Sequence, residues 1–389
     1  MKVANYSLLI VSQIPVQNIN NEFHSLDLWC KDINANSKVV NGLGIFCPIT
    51  ESTEKGVGII DPCIEIYSLD SSISLDIFES VIKKYDVIQL GAGRPFWHCR
   101  SEFLALFYAK KNSKFTIYSI SSNRVKLTLL NAAGKSFLKQ SKQKIIALSI
   151  YLTQRFFSRY SDGVILVGSG LKAGLGVSNK NIHIGLASWI NKEDILAEGL
   201  IKKRLMALSN GFMPRLCICT RLEKMKGVHL AIEALSILKN EWDFCPGLSI
   251  YGAGSEKGDL EKLVKENALQ NQVVFMGTVA YGEIFFTEIR QYDLMLLTNL
   301  SDEQPRLIFD AISQGLLPVC PNTAVYKAAG LDDKLLYKQN SAVDLAAIVR
   351  SFTSKALFSE MVELSGLLLK ISTIEKMHLN RVNWVKELL

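Results

Sequence analysis

The chain has 389 residues, of which 48 % are hydrophobic and 21 % charged, and a formal net charge of +7. Its length exceeds what a single growing hydrophobic core accommodates, so two domains are expected and a lone binding module is excluded. The composition can bury large cores and leaves no room for a long disordered tail.

In chain order, strands are predicted at 6–11, 43–47, 64–67, 86–90, 115–120 and 163–167, while Leu26, Trp29, Cys30 and Ile33 have helical spacing. Short apolar strands alternating with helices predict a parallel sheet covered on both faces, because parallel neighbours need crossover connections. From Lys192 to Leu208 the pattern turns helical and charged. Gly211 and Pro214 then break it, which places a linker at 209–214. The second half repeats the alternation, with helices at 228–238, 260–267, 281–289 and 306–313 and strands at 215–219, 247–251, 272–275, 294–297 and 317–320. The expected class is α/β: two Rossmann-like doubly wound domains, 1–208 and 209–370. Ile371, Ile374, Met377, Val382, Trp384 and Val385 form the stripe of an amphipathic terminal helix over 371–389, a candidate to pack back on the first domain. Ligands of such sheets bind outside the carboxyl ends of the strands, so a cleft between two of them is where chemistry is expected.

No apolar run approaches the ~20 residues that a membrane-spanning helix needs. The N-terminus shows no small-residue cleavage site after its short apolar stretch at 8–11, so a cytoplasmic location is expected. Eight cysteines without a CxxC pair or a cluster with His predict buried thiols, with neither disulfides nor structural zinc.

The charge is unevenly distributed, since residues 103–161 contain eleven Lys or Arg and no Asp or Glu. Such a field attracts phosphates. Within it, Leu138, Ile145, Leu148, Leu152 and Phe156 fall on one side of an expected helix, flanked by Lys135, Lys139 and Lys142. One reading is a helix, within 124–159, that lies peripherally on an anionic membrane surface. The other is a core-facing stripe with a solvated rim. Nucleic acid is excluded as the partner, because neither an aromatic platform nor a recognition motif accompanies the charge.

Three stretches can carry chemistry. Arg221 and Lys226 follow the strand at 215–219 and precede a helix, so two cations at a strand's carboxyl end can hold a diphosphate; a solvated basic turn looks the same. Gly252 and Gly254 follow the next strand, where missing side chains let the backbone approach a phosphate or sugar. A nicotinamide fingerprint would need a further glycine at Lys257 and an acid after the following strand, and neither is there. Asp302, Glu303, Arg306 and Asp310 lie together around the start of the helix at 306–313, which a simple capped helix also explains.

Taken together and in order, these residues resemble the nucleotide-sugar domain of retaining glycosyltransferases of family 4, which have the GT-B fold. The family pattern has Gly-Arg-Leu then Lys-Gly, a Gly-x-Gly, and two glutamates separated by seven residues before Ala and a Gly-x-Pro-Val strand. This chain has Thr220, Arg221 and Leu222, then Lys226 and Gly227; Gly252 and Gly254; Gly277; Asp293 and Leu294; and Asp302, seven residues, Asp310 and Ala311, then Gly315, Pro318 and Val319. The resemblance implies that Arg221 and Lys226 hold the donor diphosphate in the catalytic step. It implies that Gly252, Gly254 and Gly277 line the donor pocket, that Asp302 contacts the transferred sugar and that Asp310 contacts the ribose hydroxyls. Both family glutamates are aspartates here, and Glu303 and Pro305 replace loop glycines, so Asp302 and Glu303 both stand as sugar contacts.

The implied activity is sugar transfer from a nucleotide-diphosphate sugar to a glycan or lipid-linked glycan in polysaccharide biosynthesis, with retention and without a metal or other cofactor. The first domain would bind the acceptor, and His98 is a candidate sugar contact, although a structural histidine is the simpler reading. A non-catalytic GT-B subunit, and an epimerase or phosphorylase on the same fold, remain as alternatives. Nucleotide, sugar, acceptor and linkage are not written in these motifs.

Overall fold

The computed structural model of the chain describes residues 4–50, 58–69, 73–91, 93–130, 132, 136–168, 170–175, 177, 179–300 and 306–389. The chain divides into two compact units, Met1–Trp189 with Ile374–Leu389, and Ile190–Thr373.

The strands of the first unit are β1 (Ser7–Val11), β2 (Val16–Ile19), β3 (Glu22–Ser25), β4 (Gly42–Cys47), β5 (Ile49–Thr50), β6 (Gly58–Ile59), β7 (Glu65–Ser68), β8 (Val87–Leu90), β9 (Phe115–Ile120), β10 (Gly163–Val167) and β11 (Ile182–Gly185). Seven of them form one sheet in the order β11-β10-β9-β8-β1-β4-β7, parallel at every pairing. Its helices are α1 (Asp27–Ser37), α2 (Leu75–Lys84), α3 (Arg100–Lys111), α4 (Arg124–Leu130), α5 (Phe137–Tyr160) and α6 (Gly170–Leu175). Successive strand residues feed opposite cores: Leu9 and Val11 join Phe46, Ile88 and Tyr118, whereas Leu8 joins Ile45, Val87 and Ile165. Both faces are buried, which is why these strands read as apolar runs without polar alternation.

Four shorter strands form a separate sheet, β5-β2-β3-β6, that the apolar pattern misses. They are two to four residues long and mostly half-exposed, so no run of hydrophobic side chains marks them.

The second unit has α7 (Glu198–Ala207), β12 (Leu216–Cys219), α8 (Val228–Trp242), β13 (Leu248–Tyr251), α9 (Lys257–Glu266), β14 (Val273–Gly277), α10 (Glu283–Ile289), β15 (Leu294–Leu296), α11 (Leu307–Ser313), β16 (Leu317–Pro321), α12 (Ala324–Ala328), β17 (Leu336–Tyr337), α13 (Ala342–Ser351) and α14 (Lys355–Ser372). Its sheet runs β14-β13-β12-β15-β16-β17, again parallel throughout. The order reverses between β12 and β15, so the topological switch point lies at their carboxyl ends. Helix α15 (Ile374–Leu388) returns to the first unit, where Val382 and Val385 enter its core and Trp384 presses on Gly163.

The boundary between the units lies at 189/190, not at 208/209, and the returning segment starts at 374 rather than 371. The charged helix α7, read from the sequence as the end of the first domain, belongs to the second unit because Arg204 ties it there. Arg204 donates to the carbonyls of Arg290 and Tyr292 and pairs with Asp293 at 2.6 Å. The α5 stripe also differs from one of its two readings. Leu138, Ile145, Leu148, Leu152 and Phe156 face solvent, while Ala147, Ser149, Ile150, Thr153, Gln154, Phe157 and Ser158 are buried. It is therefore not a core-facing stripe; Lys135 lies outside the described residues.

Asp293 is 1 % exposed and joins three parts of the second unit. Its carboxylate accepts from Arg204, from the Arg215 guanidinium at 3.1 Å and from the Arg215 amide at 2.8 Å. Burial pushes its pKa up, but the hydrogen bonds from Arg215 and Arg204 outweigh this and hold the carboxyl below the usual range. Asp293→Ala should therefore cost about 3 kcal/mol, since removing one member of a buried ion pair strands the other. A depressed native pKa stabilises the fold above the unfolded-state value, and this contribution is lost as pH falls through the native one. Urea unfolding should show the wild-type advantage at neutral pH shrinking below about pH 4.

Candidate functional site

At the carboxyl ends of β12, β13 and β14 the second unit has a cavity of about 270 Å³, lined among others by Thr220, Arg221, Gly252, Thr278, Tyr281 and Phe285. Its floor is made by backbones in close contact. Thr220 N–H donates to Tyr251 O, Leu222 N–H to Ala253 O and Gly252 N–H to Gly277 O, at 2.9, 2.9 and 2.7 Å. A Cβ on residue 252 would lie 1.8 Å from the Thr220 carbonyl oxygen, and one on residue 254 would lie 2.2 Å from that of Leu222. Gly252 also has φ +139°. Both glycines are thus required by the neighbouring loop rather than by room for a ligand, although Gly252 does form part of the cavity wall. Gly277 has φ +77° and open space beside it.

Arg221 stands on the cavity wall with its side chain 72 % exposed, bridged to Glu223 at 2.7 Å. An exposed pair of this kind contributes roughly 0–1 kcal/mol, so an anion of higher charge can displace Glu223 at little cost. Lys226 ends a short 3-10 turn that Gly227 closes at φ +61° before α8 begins. That turn is fastened beyond β15: Thr298 Oγ1 donates to the Lys226 carbonyl at 2.7 Å and Leu300 N–H to Met225 O at 2.9 Å. A Cβ at 227 would meet the Thr298 carbonyl oxygen at 2.2 Å. Lys226 therefore comes from the switch point itself.

Asp310 does not line the cavity. It is 2 % exposed on α11 and accepts the Tyr281 hydroxyl at 2.9 Å, so Tyr281 forms the wall in front of it. Burial, and then the Asp310 charge, raise the Tyr281 pKa, keeping the phenol a neutral donor. Tyr281 stacks on Phe285 with ring centroids 5.6 Å apart and planes at 25°. Sequence reasoning missed these two aromatics by starting a helix at 281, whereas α10 starts at Glu283 and leaves Tyr281 in the preceding loop. Arg306 occupies the N-cap position of α11, next to the cavity residue Leu307. Asp302 and Glu303 lie outside the described residues.

In the first unit, His98 ends a 3-10 turn, Phe96–His98, after β8. It lines a second cavity of about 230 Å³ with Gln13, Phe78, Trp97, Arg100 and Ser101. Gln13 Nε2 donates to Ser101 Oγ at 2.8 Å, and Ser101 donates to Glu102, which is buried and ion-paired with Arg94. No group of three or more His, Cys, Asp or Glu able to hold a metal ion occurs among the described residues. No helix among them is long and apolar enough to cross a membrane.

The glycine contacts give a direct test. Gly252→Ala should lower stability by at least about 2 kcal/mol, since it adds both backbone strain and a clash with a carbonyl. Gly258→Ala, in α9 with open space around it, should be neutral or stabilise by up to about 1 kcal/mol. Denaturant midpoints of the two variants measure the difference.

Residues 210–363 match the family model described as "Glycosyl transferases group 1". The chain is 26 % identical over 229 residues to protein CapJ of Staphylococcus aureus, covering 58 % of this chain and 51 % of CapJ, so it spans about half the length of that curated relative. The Anabaena HepE crystal structure, determined in complex with UDP, superposes with a TM-score of 0.63 at 13 % identity, covering 100 % of both chains. The apo lipopolysaccharide outer core galactosyltransferase WaaB gives 0.63 at 13 % identity, over 98 % of this chain and 100 % of its own. With two parallel Rossmann-like sheets the chain has the GT-B fold, and its residues 210–363 are similar to glycosyl transferases group 1.

Proposed function

We propose that this protein is a glycosyltransferase that moves a sugar from a uridine diphosphate sugar to a glycan acceptor carried on a lipid, with retention of configuration, in the cytoplasm at a membrane face. The observation that carries the reading is the switch-point cavity with Arg221 on its wall and Lys226 on the adjoining turn, in the unit that matches the family. HepE was crystallised with UDP and WaaB is a lipopolysaccharide galactosyltransferase, which supports the donor and acceptor classes.

In this reading the nucleoside takes the cavity beside the Tyr281–Phe285 stack, and Asp310 acts through Tyr281 or accepts the ribose hydroxyls. The diphosphate reaches Arg221 and Lys226. As the bond from the anomeric carbon to the diphosphate breaks, negative charge collects on the leaving oxygen and positive charge on the sugar ring. Two fixed cations favour that state more than the intact donor, which is where catalysis arises. Leaving-group stabilisation is assigned to these side chains, without a metal. Asp302 or Glu303 contacts the transferred sugar, and the first unit's cavity at Gln13, Trp97 and His98 takes the acceptor.

Arg221→Ala or Lys226→Ala should each reduce turnover by on the order of 100-fold while leaving the melting temperature nearly unchanged, as both lie on connections. Release of UDP from a panel of UDP-sugars measures this. Activity should persist in EDTA. Near-normal turnover in the folded double variant would defeat the assignment, and complete loss in EDTA with rescue by magnesium would transfer the leaving-group role to a metal.

A further inference from the structure

On α5, Phe137, Leu138, Ile145, Leu148, Leu152 and Phe156 are exposed, at 81, 80, 64, 57, 54 and 39 %. They share one side of the helix by its 3.6-residue repeat. Of the seven side chains that α5 buries, Ile150 and Phe157 are large and apolar, whereas Ala147, Ser149, Thr153, Gln154 and Ser158 are small or polar. A helix ordinarily turns its apolar stripe inward. Here the packing is reversed, and an exposed contiguous apolar strip marks a surface for another body.

Two observations identify that body. The same helical repeat sets Lys144 and Arg155 along one edge of the strip, Lys142 along the other and Arg159 at its C-terminal end, all exposed, and no Asp or Glu occurs from 103 to 161. A protein partner would have to supply a matching acidic rim, whereas an anionic bilayer provides an apolar interior beneath a uniformly negative surface. The strip also leads to the first unit's cavity. Ser149 Oγ, at its border, accepts the Phe96 amide at 3.2 Å, and Phe96 and Trp97 of that turn are themselves 58 and 47 % exposed. Trp97 and His98 then line the cavity.

We infer that the outer face of α5 seats the protein on an anionic lipid bilayer, with Phe96 and Trp97 at the same surface, so that a lipid-borne acceptor enters the Trp97–His98 cavity from the membrane. This rests on the acceptor proposed above for the acceptor class, but the seating itself does not depend on transfer.

The test is co-sedimentation of the full chain with phosphatidylcholine vesicles, with and without phosphatidylglycerol, at about 0.1 M and about 1 M salt, between which the Debye length falls from about 10 Å to about 3 Å. The wild type should bind the anionic vesicles at least about tenfold better at the lower salt, and bind neutral ones weakly. Leu148→Ser with Leu152→Ser, and separately Lys142→Glu with Lys144→Glu and Arg159→Glu, should each reduce binding at least about tenfold. Because all five side chains are exposed, thermal stabilisation by UDP should be retained in both variants. Absence of wild-type binding at low salt, or unchanged binding by both variants, overturns the seating. So does a dimer that the leucine variant dissolves without any vesicle binding, which would make a second copy the occupant. Vesicle binding without UDP release from any UDP-sugar would leave the seating standing and sink the transferase reading instead.

Discussion

The site depends on a backbone contact that leaves no room for a single methyl group. The Thr220 carbonyl oxygen lies 1.8 Å from the place of a Cβ on residue 252, and the Leu222 carbonyl 2.2 Å from one on residue 254. This approach is what lets the loop after β12 extend the sheet ladder past the end of the strands, through the Leu222–Ala253 and Gly252–Gly277 hydrogen bonds. Three strand ends then act as one rigid floor. Arg221 extends from that floor with its guanidinium exposed to solvent.

The two cations are held by different means. Arg221 is released to solvent with a weak, replaceable partner in Glu223, while Lys226 sits on a turn bolted to the segment after β15 by Thr298 and Leu300. Beneath both, Asp293 secures the amino ends of β12 and β15 through Arg215 and draws α7 into the same unit through Arg204. Charge is thus neutralised at the buried Asp293, while the Arg221 guanidinium is left exposed where a diphosphate would arrive. That division suits a fold whose polar chemistry belongs at the carboxyl ends of its strands.

The parallel sheets were legible because strands buried on both faces are continuous apolar runs, as at 115–120 and 163–167, where expected and observed limits coincide. The small sheet around Val16–Ile19 and Glu22–Ser25 was not, because half-exposed strands of four residues carry no such run. The domain boundary was misplaced for a related reason: the attachment of α7 runs through Arg204 and Asp293, 89 residues apart, which no local pattern reports. At the site, the motif order located Arg221, Gly252 and Lys226 correctly on connections at strand ends. It could not say that the glycines serve the loop packed against them, nor that Tyr281 would stand between Asp310 and the cavity. The α5 stripe showed the same limit, since periodicity finds an apolar face but not the side of the molecule to which it turns.

The most direct test of the account is a crystal structure of the chain with UDP. The uridine should lie in the cavity between the Gly252 turn and the Tyr281–Phe285 stack, with the diphosphate oxygens within ion-pair reach of Arg221 and Lys226 and Glu223 displaced from Arg221. A nucleotide bound away from the carboxyl ends of β12 and β13, or a diphosphate that leaves the Arg221–Glu223 pair intact, would contradict it.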